Sequence, residues 1–271
     1  MVTFPNAKIN LGLRVVRRRP DGYHDLETTF YPVGWTDALE MLPASGGEGI
    51  ELTLSGRAII SAADDNLVTR AYRLLAEDYP LPPVRAHLHK VLPTGAGLGG
   101  GSADASFALR ALNELATLNL DDDALEAYAR QLGSDCPFFV RNVPVLASGR
   151  GDVFQPLDLT LSDYHLLIVY PNVFVSTVEA YGGVHAAVPP DRLRTILESS
   201  VASWRERLVN DFERSVFRAH PLLGEIKAAL YDAGAVYASM SGSGSALFGL
   251  FRTPPPELFT TKPYLVWRGK A

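Results

Sequence analysis

The sequence predicts an α+β protein of two domains, and three observations lead to this prediction. The chain has 271 residues, enough for one large domain or two of moderate size. Stretches with strand-like alternation and stretches with helical spacing are interspersed along it. The residue pattern changes after Val143, so we place the boundary near residue 155 and predict domains over 1–155 and 156–271.

Composition restricts the class of protein. Hydrophobic residues make up 47% and charged residues 20%, which is typical of a globular protein with a sizeable core. The net charge of −5 argues against general nucleic-acid or membrane-surface binding, and no apolar stretch approaches the length of a membrane span. The single cysteine, Cys136, excludes an internal disulfide and favours a reducing cytoplasm.

The N-terminal part begins with strands. Residues Ile9–Val16 have an apolar, strand-like pattern, and the Pro and Asp-Gly pair in Arg19–Gly22 predict a turn. Residues Tyr23–Val33 are a second strand or a loop leading into one. Short strands are then expected at Trp35–Met41 and Gly49–Leu54.

Helical signals follow. Residues Asn66–Tyr79 have an apolar stripe, and Asp64, Asp65 and Asn66 before it are good capping residues. A strand is predicted over Val84–Leu92, and a helix that opens at Ser102 follows it. Residues Asp121–Gly133 predict a further helix with acids in its first turn and glycine at its end.

Predicted strands and helices are also interspersed in the later part of the chain. Pro137 fits the first turn of a helix, which places Asp135 at or near a helix N-terminus. The remaining predicted elements are a glycine-bearing connection at Leu146–Asp152, a buried strand at Leu166–Pro171, helices over Asp191–Ser200, Val201–Glu213 and Pro221–Ala233, and a strand, turn and strand over Gly234–Phe251.

The stretch Pro93–Asp104 holds five glycines among twelve residues. It lies between a predicted strand and a predicted helix, so bare amide groups and a helix N-terminus point towards one place. This arrangement favours an anion site, most often for phosphate. The alternative is a tight turn in which the glycines serve only the backbone shape.

Two common glycine-loop motifs do not account for this stretch. Gly95, Gly97 and Gly100 satisfy the dinucleotide pattern G-x-G-x-x-G, but no strand-borne acid follows some twenty residues later. No Gly-Lys-Ser or Gly-Lys-Thr closes the loop, so it is not a Walker A motif.

Three separated stretches together resemble the motifs of the GHMP kinase superfamily. They are Pro5–Leu11, with a lysine in an apolar strand, the glycine stretch Pro93–Ser106, and the small-residue turn Ser241–Ser245. Three further stretches are similar to one member of that superfamily: Arg18–Leu26, Gly133–Phe139 and Asn210–Glu213. The resemblance runs from residue 5 to about residue 251.

The resemblance implies a kinase that uses ATP with Mg²⁺. Its acceptor would be a small molecule with a cytidine diphosphate moiety, phosphorylated on the tertiary 2-hydroxyl of a methylerythritol unit. The implied fold has a ribosomal-S5-like α/β N-terminal part and a ferredoxin-like α+β C-terminal part, with the site between them. We expect a cytoplasmic enzyme that is a monomer or a weak homodimer and binds neither nucleic acid nor membrane.

The resemblance also implies residue roles. Lys8 and Asp135 would be catalytic, with Asp135 as the general base and Lys8 stabilising the transferring phosphoryl group. Acceptor contacts would come from Asn10, Tyr23, His24, Ser176 and Thr177, with Tyr23 stacking on a cytosine ring and His24 bonding its edge. The nucleotide would contact Asn66, Pro93, Thr94, Gly95, Ala96, Gly97, Leu98, Gly99, Gly100, Gly101, Ser102 and Ala103, with the Ser102 hydroxyl near Mg²⁺ or a phosphate; the metal ligands stay unknown.

Each role has a structural alternative. Asp135 could be an N-cap residue, Lys8 a lysine on the exposed face of an edge strand, and His24 an ordinary turn histidine. Gly242 and Gly244 are expected to let the third motif pack on the glycine loop. Cys136 is expected to be a buried apolar residue.

Two other functions remain open at this stage. One is a different kinase of the superfamily, acting on homoserine or a mevalonate-type alcohol. The Asp21–His24 turn argues against it, because those acceptors carry no cytosine. The other is a nucleotide sensor without catalysis, which the presence of both Lys8 and Asp135 disfavours.

Overall fold

The computed structural model describes residues 1–58, 65–188 and 190–271. The α+β prediction is confirmed, because strands and helices are mixed throughout these ranges. The strands are β1 (Val2–Thr3), β2 (Asn6–Arg18), β3 (His24–Thr36), β4 (Ala38–Pro43), β5 (Ile50–Gly56), β6 (Val84–Lys90), β7 (Val145–Ser148), β8 (Val153–Pro156), β9 (His165–Tyr170), β10 (Tyr237–Met240), β11 (Leu247–Phe251) and β12 (Leu265–Lys270). The helices are α1 (Leu67–Ala76), α2 (Gly100–Leu115), α3 (Asp122–Leu132), α4 (Phe138–Arg141), α5 (Thr177–Gly182), α6 (Leu193–Leu197), α7 (Glu213–Ala219) and α8 (Pro221–Asp232).

The chain forms two compact units, each assembled from separate segments. The first unit comprises Met1–Ala7, Trp35–Thr94 and Gly99–Val143, and the second comprises Lys8–Gly34, Gly95–Leu98 and Pro144–Ala271. The domain boundary near residue 155 stays a prediction.

The first unit contains the sheet β1-β4-β6-β5 and the helices α1 to α4. Strand β6 pairs antiparallel with β4 and parallel with β5, and its side chains alternate between buried and more exposed. The apolar side chains of its sheet share one core with the helices; Leu75, Leu88, Leu109 and Leu125 are among its buried members. This core holds β6 and α2 on either side of the glycine stretch.

Capping residues set the helix ends in this unit as expected. The Asn66 side chain accepts a hydrogen bond from the Val68 amide at the start of α1, whereas Asp64 lies outside the described residues. Asp121 caps α3 by accepting from the Ala124 amide, and Gly133 stands at the other end.

The second unit contains two four-stranded sheets, β2-β3-β7-β8 and β10-β11-β9-β12. Pairing within the second of these sheets is antiparallel throughout. Side chains of β2 share a core with this sheet and its helices; Leu13, Leu167, Phe212 and Leu247 are buried there. The strand that carries Lys8 and Asn10 is therefore anchored by the apolar packing of its later residues Leu13 and Val15.

Several predicted elements differ from the structure. The helix expected over Val201–Glu213 is wrong, because only the 3-10 turn Val201–Ser203 and the first residue of α7 are helical. The reason is tertiary bonding: the Asn210 side chain donates to the carbonyl oxygens of Met240 and Gly242, each at 2.8 Å, which fixes an irregular path.

Other boundaries also move. The connection expected over Leu146–Asp152 is partly strand, since β7 and β8 form a hairpin there. Trp35 belongs to β3 rather than to the next strand, and α6 is shorter than the helix predicted over Asp191–Ser200. The pattern did not predict β1, β8, α5 or β12. No helix within the described ranges has the length and apolar character needed to cross a membrane.

Candidate functional site

The glycine stretch has the backbone that its composition predicts. It leaves β6 and enters α2, and Gly95, Gly97 and Gly99 have positive φ angles of 67°, 78° and 73°. Residues with side chains rarely adopt this left-handed conformation. The predicted order of strand, loop and helix is confirmed.

The third motif packs directly on the glycine stretch within the second unit. A Cβ atom at Gly97 would lie 2.0 Å from the Ser241 carbonyl oxygen, and one at Gly242 would lie 3.3 Å from the Gly97 Cα. The Ser241 hydroxyl donates to the Gly97 carbonyl oxygen at 2.8 Å, and the Ala246 amide donates to the Ala96 carbonyl oxygen at 3.1 Å. The expected packing of this motif on the loop is confirmed, and Gly97 is the position with the least space.

Helix α2 begins earlier than predicted. Its cap is Gly99, which has no side-chain capping bond, and Ser102 is already inside the first turn. The expectation that Ser102 opens the helix is therefore wrong, because the glycines themselves take up helical geometry. Amide groups at the first positions of a helix have no intrahelical partner, so they can bind an anion.

Lys8 is buried rather than displayed on an edge. Its side chain is 3% exposed, which excludes the exposed edge-strand alternative. The ammonium donates to the Asn10 Oδ1 at 2.6 Å and to the Gly97 carbonyl oxygen at 3.1 Å, and lies 4.8 Å from the centre of the Phe30 ring. A lysine on β2 thus contacts the glycine stretch directly.

Asn10 points the same way as Lys8, as the strand spacing predicts. Its side chain is buried, and its Nδ2 donates to the Thr28 hydroxyl at 2.9 Å. Its backbone amide donates to the Ser241 hydroxyl at 3.2 Å. The amide side chain holds Lys8 in place, and its contact with an acceptor stays a prediction.

Asp135 lies in the turn between α3 and α4 of the first unit. The cap of α4 is Pro137, with no side-chain capping bond, so the N-cap interpretation of Asp135 is wrong. The Ser106 hydroxyl donates to the Cys136 carbonyl oxygen at 2.6 Å and to that of Ser102 at 3.0 Å. This turn is therefore attached to the start of α2.

Cys136 is a buried free thiol. Burial raises the pKa of its thiol to about 11, although a hydrogen bond with Ser102 opposes the shift. A thiol that stays protonated at neutral pH is a poor nucleophile. The structure therefore agrees with the expected apolar role.

The turn after β2 presents an aromatic ring and an imidazole. Tyr23 is 52% exposed, and the Arg150 guanidinium lies 3.8 Å above its ring. His24 stacks on Tyr181 with ring centres 4.8 Å apart and planes 23° apart. Arg150 and Tyr181 were missed by the sequence analysis, because one lies in a hairpin taken for a connection and the other in an unpredicted helix.

Ion pairs brace this turn. The Arg19 amide donates to the Tyr23 carbonyl oxygen at 2.8 Å, which closes the predicted turn. Asp25 accepts hydrogen bonds from Arg17 and Arg19, and these bonds lower the pKa of its carboxyl group. Arg19 also pairs with Asp21. The basic cluster thus shapes the turn that carries Tyr23 and His24.

The other predicted contacts lie at helix starts. Ser176 caps α5 by accepting from the Glu179 amide at 3.1 Å, and Thr177 is the exposed first residue of that helix. Asn66 caps α1. Binding roles for these three residues stay predictions.

Family models and relatives show which known proteins this chain is similar to. The chain matches the GHMP kinases N terminal domain over residues 66–142 and the GHMP kinases C terminal model over residues 191–258. It is 53% identical over 252 residues to the 4-diphosphocytidyl-2-C-methyl-D-erythritol kinase of Bacteroides thetaiotaomicron, covering 93% of this chain and 92% of the relative.

Solved structures give the same result. A crystal structure of a 4-(cytidine 5'-diphospho)-2C-methyl-D-erythritol kinase is 37% identical, with a TM-score of 0.81 and coverage of 94% of this chain and 91% of that one. The mevalonate kinase of Methanococcus jannaschii shares the fold, with a TM-score of 0.72 at 13% identity and coverage of 99% and 97%. The chain belongs to the GHMP kinase family, and within it to the group of the 4-diphosphocytidyl-2-C-methyl-D-erythritol kinases.

Proposed function

We propose that this kinase transfers the γ-phosphoryl group of ATP to the 2-hydroxyl of 4-diphosphocytidyl-2-C-methyl-D-erythritol, in the non-mevalonate route to isoprenoid precursors. The observation that carries the proposal is the braced turn with Tyr23 and His24. It occurs in a chain 53% identical, over 93% of its length, to a relative of that name.

The acceptor's cytosine ring is the feature this turn fits. Tyr23 offers an exposed aromatic face for stacking, and the His24 ring offers nitrogen atoms for the edge of a base. The stack of His24 on Tyr181 holds the imidazole in one orientation. Homoserine and mevalonate have no flat ring for such a surface, so these acceptors are disfavoured.

The glycine stretch is the proposed site for the ATP phosphates. Residues 95–102 would supply amide groups from left-handed glycines and from the start of α2. Asn66 would contact the adenine, and Ser176 and Thr177 the acceptor.

Mg²⁺ is proposed to arrive with ATP. In kinases this ion is held mostly by phosphate oxygens and water with one or two protein groups. Among the described residues, no three His, Cys, Asp or Glu side chains form a metal-holding group. The hard oxygen of the Ser102 hydroxyl, at the partly exposed start of α2, is compatible with the ion or with a phosphate. When bound, Mg²⁺ neutralises charge on the phosphates.

Asp135 and Lys8 are the proposed catalytic residues. The acceptor's hydroxyl oxygen forms a bond to the γ-phosphorus, the bond from that phosphorus to ADP breaks, and the hydroxyl proton passes to the Asp135 carboxylate. The Lys8 ammonium stabilises negative charge on the transferring group. Its hydrogen bonds to Asn10 and Gly97 fix its position beside the glycine stretch.

We also propose the cytoplasm as the compartment, since the lone cysteine is a free buried thiol. A monomer or weak homodimer is the proposed assembly.

The test is ATP turnover with the diphosphocytidyl alcohol, with homoserine and mevalonate in parallel assays. Turnover of the first alone supports the proposal, and no turnover of it overturns the assignment. The Asp135→Asn variant should lose activity by about a hundredfold or more while still binding ADP. Asp158→Asn, an exposed acid in a loop, is the control and should behave as the wild type; normal activity in Asp135→Asn removes the base role.

A further inference from the structure

A buried cluster of three charged side chains lies where β6 ends and α2 begins, within the first unit. Lys90 is the last residue of β6, Asp37 lies between β3 and β4, and Asp104 lies near the start of α2. The Lys90 ammonium donates to the Asp104 Oδ2 at 2.6 Å and to the Asp37 Oδ2. All three side chains are 4% exposed or less.

Asp37 extends this cluster to the backbone. Its Oδ1 accepts hydrogen bonds from the Val91 amide at 2.6 Å and the Leu92 amide at 2.8 Å. These are the first residues after β6, so Asp37 holds the chain where it leaves the sheet. Asp104 is attached to the same ammonium from the helix side. The cluster therefore joins the two ends of the glycine stretch.

The stretch between these ends has little regular structure of its own. Residues 91–99 belong to no strand or helix, and three of their glycines have left-handed backbones. Glycine loses more conformational freedom on folding than any other residue, so fixed ends are needed to restrict such a loop. The same contacts fix where the N-terminus of α2 begins.

The charge balance of the cluster does not favour stability. Two carboxyl groups share one ammonium in a buried place, and the Asp104 Oδ1 has no hydrogen-bond partner. Burial raises the pKa of Asp104 to about 7, in opposition to Lys90 and with a contribution from Asp37. Apolar side chains of similar volume often fill such a place at no loss of stability. An apolar cluster would lack the directional hydrogen bonds by which these charged side chains fix the positions of the segments that they join.

Backbone packing leaves the cluster little room to move. A Cβ at Gly100 would lie 3.2 Å from the Leu92 Cβ and 3.5 Å from the Lys90 ammonium. A Cβ at Gly56 would lie 2.3 Å from the Lys90 carbonyl oxygen. The first turn of α2 therefore sits close to the ammonium, and a shift of Lys90 would move it.

We propose that Lys90, Asp37 and Asp104 are positioning residues for nucleotide binding, which set the shape of the phosphate-binding stretch by clamping both of its ends. The clamp acts on affinity for the nucleotide rather than on the chemical step, because none of its members is exposed to a ligand.

Two substitutions of Asp104 test the clamp. Asp104→Ala removes the link from α2 to Lys90, and we expect the dissociation constant for ADP and the KM for ATP to rise about tenfold, with kcat little changed. Asp104→Asn keeps an oxygen that can accept from Lys90, and should stay within about threefold of the wild type for both quantities. Calorimetric titration measures the dissociation constant for ADP without any acceptor. This test of the clamp therefore does not depend on which alcohol the enzyme phosphorylates.

Leu125→Ala is the matched control, because Leu125 is buried in α3 of the same unit. This variant should lose stability through its cavity and keep its affinity for ADP. The proposal is overturned if Asp104→Ala shifts ADP binding no more than Leu125→Ala does, or if Asp104→Asn is as impaired as Asp104→Ala. Should Asp104→Ala fail to fold, Asp37→Asn replaces it. Asp37 uses both carboxylate oxygens, so the single accepting oxygen of an amide would lose either the Lys90 bond or the bonds from the Val91 and Leu92 amides. Unchanged ADP binding in that folded variant also overturns the clamp.

Discussion

Two groups of charged side chains brace two loops in this kinase, and they differ in burial. The Lys90 cluster is almost fully enclosed, whereas in the turn after β2 the Arg17 side chain is 70% exposed and that of Asp21 44%. Water can replace a lost partner in the turn and cannot in the cluster. Similar ion pairs should therefore have very different consequences when they are broken.

The pKa values of the carboxyl groups in the two places are shifted in opposite directions. Burial raises the pKa of Asp104, whereas hydrogen bonds from Arg17 and Arg19 lower the pKa of Asp25. Desolvation dominates in the enclosed cluster, and direct hydrogen bonding dominates in the open turn. The following variants test that distinction.

Lys90→Met should have the largest effect. Removing the ammonium leaves Asp37 and Asp104 buried without a cation, so we expect a loss of about 3–5 kcal/mol in the free energy of unfolding. Urea unfolding at neutral pH measures it. A loss under about 1 kcal/mol would mean that the cluster is solvated despite its burial.

Asp104→Asn should change the pH dependence of stability. The pKa of Asp104 is about 7 in the folded chain against 3.8 for the ordinary group, so the folded state binds the proton more tightly. The wild type should therefore lose stability relative to the variant as the pH rises from about 4 through 7, by at least about 1 kcal/mol between pH 5 and pH 8.

Urea unfolding of both proteins at the two pH values checks this prediction. Asp158→Asn, at an exposed loop position, should follow the wild type at both. If the difference in the free energy of unfolding between the wild type and Asp104→Asn is the same at pH 5 and pH 8, Asp104 is ionised throughout this range. Desolvation would then not dominate the pKa of Asp104.

Arg150→Ala should have a moderate effect that is confined to the acceptor. Its guanidinium lies on the Tyr23 ring, and such contacts at exposed sites contribute about 0.5–1 kcal/mol, so the KM for the acceptor should rise about threefold. Steady-state kinetics should show an unchanged KM for ATP. Arg205→Ala removes a similar contact on Tyr231 and is the control. An equal rise in the KM for the acceptor in this control would show that the effect does not depend on the contact with Tyr23.

Asp25→Asn should have the smallest effect. It removes ion pairs with Arg17 and Arg19, whose side chains are 70% and 33% exposed, so the melting temperature should stay close to that of the wild type. Any change in the KM for the acceptor should shrink as salt is added, because salt screens exposed pairs. A clear fall in melting temperature would show that the turn is coupled to the core.

Local patterns predicted the parts of the site that are built locally. The glycine stretch between β6 and α2, the capped helix α3 and the paired orientation of Lys8 and Asn10 all follow from short-range rules. The start of α2 was misplaced because propensity alone disfavours glycine in a helix, whereas Gly100 and Gly101 are the first two helical residues here.

The long-range parts could not be predicted in this way. Asp37, Lys90 and Asp104 are far apart in the chain and have no shared spacing, so only the fold brings their charges together. The irregular path before α7 depends on the Asn210 side chain and its carbonyl partners. Tertiary hydrogen bonds overrode a helical pattern there.

The lack of space at Gly97 has a consequence for resistance to inhibitors that would bind at the glycine stretch. A side chain at this position would collide with the Ser241 carbonyl oxygen, 2.0 Å from the first added atom. The opposing atom belongs to the backbone, so no second substitution at residue 241 would relieve the collision. An inhibitor that depends on the bare backbone surface at residue 97 would contact a position where no side chain can be added unless the backbone at Ser241 moves.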